Sequence, residues 1–174
     1  MEEFLPEVFY AISPDAVILS SEMQDPYDIE KPMRIAVKYR IPGYAAAGKN
    51  RIAFTPLLAR NLFSHPYVTP EFGMDTSITE RKYGFRTRCS KLVEIRETVT
   101  LPQGMKPIFV PPVESVDGEW AKLSGGYAVQ GNTLTFTLTH DMGKRTFEAE
   151  DWPAFRNALA QRMRLTELPV VFER

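Results

Sequence analysis

The chain has 174 residues, of which 44% are hydrophobic and 25% are charged, and its formal net charge is −1. Such a chain can bury enough apolar surface to fold without a metal or a disulfide. The single cysteine, Cys89, excludes an internal disulfide and a thiolate zinc cluster. The longest aliphatic run, at residues 16–19, excludes a membrane-spanning helix, which needs roughly 18 residues.

Charge is distributed unevenly along the chain. Residues 1–30 carry eight acidic side chains and no Lys or Arg, so they lack the basic start of a signal peptide. Residues 81–91 carry five cations and no acid, with Tyr83 and Phe85 between them, a mixture found on single-strand nucleic-acid platforms. The pI near 6.2 is well below that of polyphosphate-binding domains, so we expect no nucleic-acid partner.

Alternating apolar and polar residues predict three strands. In residues 33–41 every odd position is apolar, and most even positions are cationic. Residues 93–101 repeat the alternation, with Glu97 as its one interruption, and residues 133–139 alternate threonine with apolar side chains.

Residues 55–60, by contrast, predict the start of a short helix.

Turn residues connect the last of these strands to its neighbours. Gly131-Asn132 predicts a tight hairpin that joins residues 127–130 to residues 133–139. Residues 141–144 predict a second hairpin onto residues 145–149. Three consecutive antiparallel strands would therefore run from about residue 127 to residue 149.

One amphipathic helix is predicted near the C-terminus, from Trp152 to Met163. Asp151 would cap it, and Pro153 is tolerated in its first turn. The spacing of its apolar residues predicts a buried face made of Trp152, Phe155, Leu159 and Met163. The predicted solvent face consists of Arg156, Asn157, Gln161 and Arg164. A short final strand would follow at residues 169–172.

The predicted elements favour a mainly β fold. Strands at regular spacing, joined by local hairpins, are typical of an antiparallel immunoglobulin-like β-sandwich, here with about seven to nine strands. One C-terminal amphipathic helix and a final short strand complete it. No repeat or linker divides the chain, so we predict a single domain over residues 1–174.

A thiol hydrolase would need a cysteine, a histidine and an orienting carboxylate. Cys89, His140 and Asp151 occur in the order of a transglutaminase-like or papain-like site. However, Cys89 enters a strand among arginines, whereas such nucleophiles usually begin a helix. His65 and His140 show no metal-ligand spacing. We therefore predict no catalytic, cofactor or metal site. A thiol hydrolase that uses Cys89 ranks last of the three functions that we consider.

Aromatic side chains give a second alternative, a carbohydrate-binding module. An exposed coplanar set could bind a glycan, and its candidates are Tyr44, Tyr67, Tyr83, Trp120 and Tyr127. Aromatic residues on strands more often pack in the core. The candidate interaction surface that the sequence suggests consists of Arg81, Tyr83, Trp120, Tyr127 and Trp152.

Several segments, taken in order, resemble a known family. They are residues 80–83, 97–104, 126–127, 131–136 and 152–156. They resemble the C-terminal domain of unknown function that follows the catalytic core in bacterial transglutaminase-like proteins, and residues 25–41 and 51–56 resemble its opening hairpin. Gly84 replaces the proline, and Trp152 the tyrosine, that are expected in this family.

The resemblance implies a non-catalytic accessory or interaction domain. Such a domain would form the C-terminal part of an exported, periplasmic or cell-envelope protein, and it would pack against a transglutaminase-like or protease-like core. The chain itself lacks that core, and its start at Met1 before Glu2-Glu3 suits an excised or truncated domain, with a stand-alone protein as the alternative. A glycan is the alternative partner.

Overall fold

The computed structural model describes residues 4–59 and 74–174. The chain divides into two compact units, residues 1–44 (unit 1) and residues 45–174 (unit 2). Among the described residues, neither helix is long and apolar enough to cross a membrane. His65, and Tyr67 of the candidate glycan-binding set, lie outside the described residues.

Unit 1 consists of a helix and a hairpin. Helix α1 spans Phe4–Ile12, and strands β1 (Val17–Met23) and β2 (Ile35–Arg40) pair antiparallel. Leu5 and Phe9 lie one helical turn apart and are both buried, and the Phe9 ring centroid is 5.0 Å from that of Tyr39. The predicted strand at residues 33–41 is confirmed as β2, whereas α1 and β1 were not predicted.

Unit 2 is built mainly of antiparallel strands. They are β3 (Ala46–Ala47), β4 (Arg51–Phe54), β5 (Phe85–Arg86), β6 (Lys91–Thr100), β7 (Lys106–Phe109), β8 (Val116–Asp117), β9 (Ala121–Gln130), β10 (Thr133–Met142), β11 (Thr146–Phe147) and β12 (Val170–Glu173). A 3₁₀ turn at Ala149–Asp151 leads into helix α2 (Trp152–Glu167). One sheet has the order β6-β10-β9-β8 and another the order β3-β4-β12-β7, while β11 pairs with β5.

The β9–β10 hairpin forms as the sequence predicts. Gln130 pairs with Thr133 across Gly131, whose φ of 58° is accessible to glycine at little cost. The predicted strand at residues 93–101 is confirmed as β6, which pairs with β10 along its whole length. Even-numbered residues of β10, from Leu134 to Met142, face the core.

The predicted second hairpin is wrong. Asp141 and Met142 continue β10, and Gly143 N–H then donates to the Trp120 carbonyl oxygen. Strand β11 therefore pairs with β5 instead of β10. Residues 57–59 form a turn where a short helix was expected, and residue 60 lies outside the described residues.

Helix α2 is confirmed, and it extends beyond the predicted end at residue 163. Trp152, Phe155 and Leu159 are buried as predicted, whereas Met163 is only partly buried. The predicted solvent face is only half right, because Asn157 is exposed whereas Gln161 is buried and donates to Glu114 Oε2 at 2.9 Å.

Two polar groups near the start of α2 differ from expectation. Arg156 is half-buried, and its Nε donates to the Thr76 carbonyl oxygen at 2.5 Å. Asp151 does not cap α2 with its side chain; it accepts the Glu148 N–H at 2.7 Å and thereby caps the preceding 3₁₀ turn.

The mainly β, antiparallel class with a C-terminal helix and a final strand is confirmed. The described residues form twelve strands, four of them only two residues long, against the seven to nine predicted. The final strand, β12, lies between β4 and β7 in its sheet. An immunoglobulin-like sandwich and a single domain stay predictions.

The first test concerns the buried face of α2. Trp152→Ala should lower the free energy of unfolding by about 3–5 kcal/mol, because it removes a fully buried indole and leaves a cavity. The matched control is Asn157→Ala on the exposed face of α2, which should change stability by less than about 0.5 kcal/mol. Urea unfolding followed by circular dichroism measures both. A loss below about 1 kcal/mol for Trp152→Ala would contradict a structural role for this face.

Candidate functional site

An aromatic cluster joins α2 to the β5–β11 pair. Phe85 and Phe147 lie opposite each other in the strand register, and their ring centroids are 4.9 Å apart. Phe155 lies 4.9 Å from both rings, and Trp152 lies 5.4 Å from Phe85. The Trp152 indole N–H donates to the Ile78 carbonyl oxygen at 2.8 Å, so the cluster also holds the segment before β5.

Arg81 lies over this cluster. Its guanidinium carbon is 4.1 Å from the Trp152 ring centroid and 4.8 Å from that of Phe85. The structure thus brings together Arg81 and Trp152, two residues of the candidate interaction surface. Trp152 is fully buried, so it can support that surface only from beneath.

Tyr83 and Trp120 keep exposed rings. Tyr83 projects into solvent, and Trp120 is just over one-third exposed, with Lys144 Nζ 5.0 Å from its ring centroid. Lys144 also pairs with Asp151 at 2.6 Å. These rings are the exposed members of the predicted surface, and the interaction itself stays a prediction.

Gly84 permits the close approach of its segment to β11. A Cβ atom on residue 84 would lie 2.7 Å from the Phe147 carbonyl oxygen, closer than real Cβ atoms come. Glycine avoids that clash because it has no side chain. This approach gives a physical reason for the glycine that stands in place of the expected proline.

A second buried feature holds the main chain of the turn that follows β4. Glu97 on β6 is 5% exposed, and its two carboxylate oxygens accept the Leu57 and Leu58 N–H groups at 3.1 and 2.8 Å. Because an ionised carboxylate accepts such bonds strongly, they offset part of its desolvation cost.

Arg162 holds the same segment by its carbonyl oxygens, whereas Glu97 holds it by its N–H groups. Arg162 is 2% exposed, and its two terminal nitrogens donate to the Ala59 and Leu58 carbonyl oxygens, each at 3.0 Å. We call Glu97, Arg162 and residues 57–59 the backbone clamp. The clamp connects β6, the turn after β4 and α2 through four hydrogen bonds.

Two further titratable side chains, Tyr127 and His140, lie on the same sheet face as Glu97 of the clamp. Phe136 pairs with Glu97 on one side and with Tyr127 on the other, so those residues form one row. Burial raises the pKa of the Tyr127 hydroxyl above its ordinary value, and Glu97 adds to this while Arg162 opposes it. Burial also lowers the pKa of Arg162 to about 10, so it stays charged at neutral pH.

His140 occupies this face two rows further along β10, beyond the row of Leu138. It is 3% exposed, and burial lowers its pKa to about 4, with the positive charges of Arg162 and Lys91 acting in the same direction. His140 is therefore neutral at pH 7. Its partners across the sheet are Val93 and Leu123.

The sequence does not predict the clamp, although the interruption at Glu97 marks one of its members. Glu97 stands at an apolar position of a period-two pattern, which is the signal of a buried carboxylate with partners. Arg162 lies three residues after Leu159 and three before Leu165, both buried, and that helical spacing places it on the core side. The backbone partners at residues 57–59 leave no pattern in the sequence.

The proposed thiol hydrolase residues lie in different environments. Cys89 is exposed between β5 and β6, whereas His140 is buried on β10. Asp151 is engaged by Lys144 and by the Glu148 N–H. In residues 4–59 and 74–174, no three His, Cys, Asp or Glu side chains are grouped to hold a metal ion.

Comparison with known proteins identifies the family. Residues 50–172 match the model of a family described as "Domain of Unknown Function with solved-structure structure (DUF3858)". The chain belongs to this family. The DUF3858 match includes the backbone clamp and the aromatic cluster, whereas unit 1 precedes the matched range. A position after a transglutaminase-like core stays a prediction.

The DUF3858 chain shares its fold with a solved structure described as a "putative protease from Parabacteroides distasonis ATCC 8503". The TM-score is 0.56 at 17% sequence identity, and the match covers 74% of this chain and 24% of that one. The chain thus matches about a quarter of that protein's length. No curated protein matches the sequence.

The second test removes one charge from the clamp. Glu97→Gln should lower the free energy of unfolding by about 3 kcal/mol, because an amide N–H₂ replaces one acceptor and the remaining oxygen carries no charge. Glu94→Gln, an exposed change on the same strand, is the matched control. Equal urea midpoints for the two variants would contradict the structural role of Glu97.

The third test concerns pH. His140 has a lower pKa in the folded chain, about 4, than its ordinary value of 6.5, so only the unfolded chain takes up this proton between those values. Folding stability should therefore fall by about 3 kcal/mol as pH drops from 6.5 to 4. At pH 7.5 this contribution is fully present.

The control for the pH test is His140→Phe, which lacks the titrating ring. Carboxylates and His65 are present in both proteins, so they cancel in the difference between the two stability curves. The wild-type chain should lose more stability than His140→Phe on acidification, measured by urea unfolding at each pH. Parallel curves would show that His140 does not titrate in this range.

Proposed function

We propose that this DUF3858 chain is a non-catalytic accessory domain of a larger exported protein. It packs against, or positions, a transglutaminase-like or protease-like core. The observation that carries the proposal is the unequal coverage of the fold match, 74% of this chain against 24% of the Parabacteroides protein. A fold of this kind that recurs inside a longer chain suits a domain that works beside another one.

The order of sequence segments supports the same proposal. Residues 97–104, 131–136 and 152–156 resemble the domain that follows the core of bacterial transglutaminase-like proteins. In the structure, these segments form the end of β6, the start of β10 and the start of α2. They therefore belong to the framework of the DUF3858 fold, which is the part that an accessory domain would retain.

The chemistry of the buried charges also favours a structural role. Both carboxylate oxygens of Glu97 and both terminal nitrogens of Arg162 bind main-chain atoms of residues 57–59. These groups stabilise one backbone conformation of unit 2. A rigid framework of this kind suits a domain that holds another at a defined position.

The test is direct binding between this chain and a separately produced transglutaminase-like core from the same organism. Interfaces between domains of one chain resemble transient ones, so we expect a dissociation constant in the micromolar range by calorimetry. A short linker gives two domains of one chain an effective concentration of about 1 mM. No heat of binding at that concentration would contradict the proposal.

A second measurement separates the proposal from its alternatives. Cys89→Ser should leave core binding unchanged, because Cys89 has no chemical role in an accessory domain. Hydrolysis of peptide or amide substrates by the wild-type chain, lost in Cys89→Ser, would instead establish the thiol hydrolase. Selective binding on a glycan array, weakened by Trp120→Ala, would establish the carbohydrate-binding module.

A further inference from the structure

Strand β6 is an edge strand, and no described strand pairs with its outer side. Its other side pairs with β10 along all ten residues, from Lys91 to Thr100. The other edges of the two four-stranded sheets in unit 2 are shorter, since β3 and β8 have two residues each and β7 has four, one of them Pro107. Short edges and proline oppose strand addition, so β6 is the edge best suited to receive another strand.

The pairing with β10 determines which residues of β6 direct their main-chain groups outward. Leu101 N–H donates to the Asn132 carbonyl oxygen, directly beyond the Thr100–Thr133 pair. Because hydrogen-bonded pairs alternate along an antiparallel ladder, the odd-numbered residues of β6 bond to β10. The outward N–H and carbonyl groups therefore belong to the even-numbered residues, which are Leu92, Glu94, Arg96, Thr98 and Thr100. No main-chain group in residues 4–59 and 74–174 bonds to them.

The side chains of these even-numbered residues lie on the exposed face of the sheet. Glu94 and Arg96 are neighbours on that face, one acidic and one basic, and neither has an ion-pair partner in the part of the chain that the structure describes. Leu92 beside them is 60% exposed. Across β10 their partners are Thr139 and Thr137, which carry no charge. The two charges are thus available to a strand that pairs with this edge.

A second copy of β6 fits this edge in one antiparallel register. When Ile95 faces its own counterpart across a two-fold axis, Glu94 of each copy faces Arg96 of the other. Two opposite-charge pairs then form on the exposed face, and Leu92 faces Thr98. Sliding one copy by two residues in either direction places Glu94 opposite Glu94 or Arg96 opposite Arg96, which is unfavourable.

The other charged residues near this edge are compatible with that register. On the inner face of β6, Lys91 and Glu97 would each face a valine, and Glu97 stays held by the clamp of its own copy. Arg88, before the strand, would face a proline. On the exposed face of β10, Asp141 lies opposite Lys122 of β9. The pairing therefore brings no like charges opposite each other.

We propose that β6 is a homodimerisation edge, on which two copies of this chain pair their β6 strands antiparallel about Ile95. The outward main-chain groups supply the hydrogen bonds, and the pairs between Glu94 and Arg96 select a second copy and its register. The β6-β10-β9-β8 sheets of the two copies would join into one continuous sheet. This inference goes beyond the accessory role and does not depend on it.

Sedimentation equilibrium of the full chain tests the pairing. The wild type should change from 19.8 kDa to twice that mass, with a dissociation constant of about 10–100 μM. Arg96→Glu and Glu94→Arg should each raise that constant at least about tenfold, because each variant alone places like charges opposite each other. An equimolar mixture of the two should dimerise again, because one copy is then acidic at both positions and the other is basic.

The matched control is Glu119→Arg, an exposed change of charge outside β6, which should dimerise like the wild type. Circular dichroism confirms that each variant is folded. Unfolding measured at about 1 μM, well below such a dissociation constant, reports the single chain. Glu94→Gln therefore keeps its use as a control for stability.

A cross-link tests the register. In a Cys89→Ser background, Ile95→Cys should form a disulfide between two copies on addition of diamide. The reason is that opposite residues in a non-hydrogen-bonded pair have Cα atoms about 4.5 Å apart, within disulfide range. Val93→Cys should not cross-link, because its counterpart would lie four residues, about 13 Å, along the partner strand. Non-reducing electrophoresis measures both variants.

Three results would overturn the proposal. A mass of 19.8 kDa up to about 1 mM would show that no second copy occupies the edge. A dimer that Arg96→Glu and Glu94→Arg leave intact would place the interface elsewhere on the chain. Cross-linking of Val93→Cys in preference to Ile95→Cys would show that the copies do not pair about Ile95.

Discussion

The fold of unit 2 depends on a carboxylate and a guanidinium that hold the same three residues of backbone. Glu97 accepts two N–H groups from residues 57–58, and Arg162 donates to the carbonyl oxygens of residues 58–59. Taking an ion out of water costs several kcal/mol, so each buried charge needs strong hydrogen bonds. The clamp provides them from main-chain atoms, and it thereby connects a strand, a turn and a helix that are far apart in sequence.

Helix α2 links this clamp to the aromatic cluster. Its first turn contributes Trp152 and Phe155 to the cluster, and Arg162, two turns further on, reaches the clamp. The two contacts differ in kind, since ring packing depends on buried area and the clamp depends on hydrogen-bond geometry. Together they place one helix against both the β5–β11 pair and the turn after β4. Mutations in α2 therefore affect both of these regions.

The proposed accessory role agrees with this division of the chain. Unit 2 contains the DUF3858 match and a framework with buried, satisfied charges. Unit 1 precedes the matched range. Buried groups such as His140 and Arg162 serve the stability of the framework, whereas the outward main-chain groups of β6 are available to a partner.

The sequence alone determined the elements whose signals are local. Alternation predicted β2, β6 and β10, glycine and asparagine predicted the β9–β10 turn, and helical spacing predicted the buried residues Trp152, Phe155 and Leu159. Each signal arises from neighbours within a few residues. Only the tertiary structure decided the pairing of β11 with β5 and the burial of Gln161, which the helical spacing predicted on the solvent face. It also decided the backbone partners of Glu97, because main-chain N–H and carbonyl groups are the same in every residue except proline, so which of them pair follows from packing.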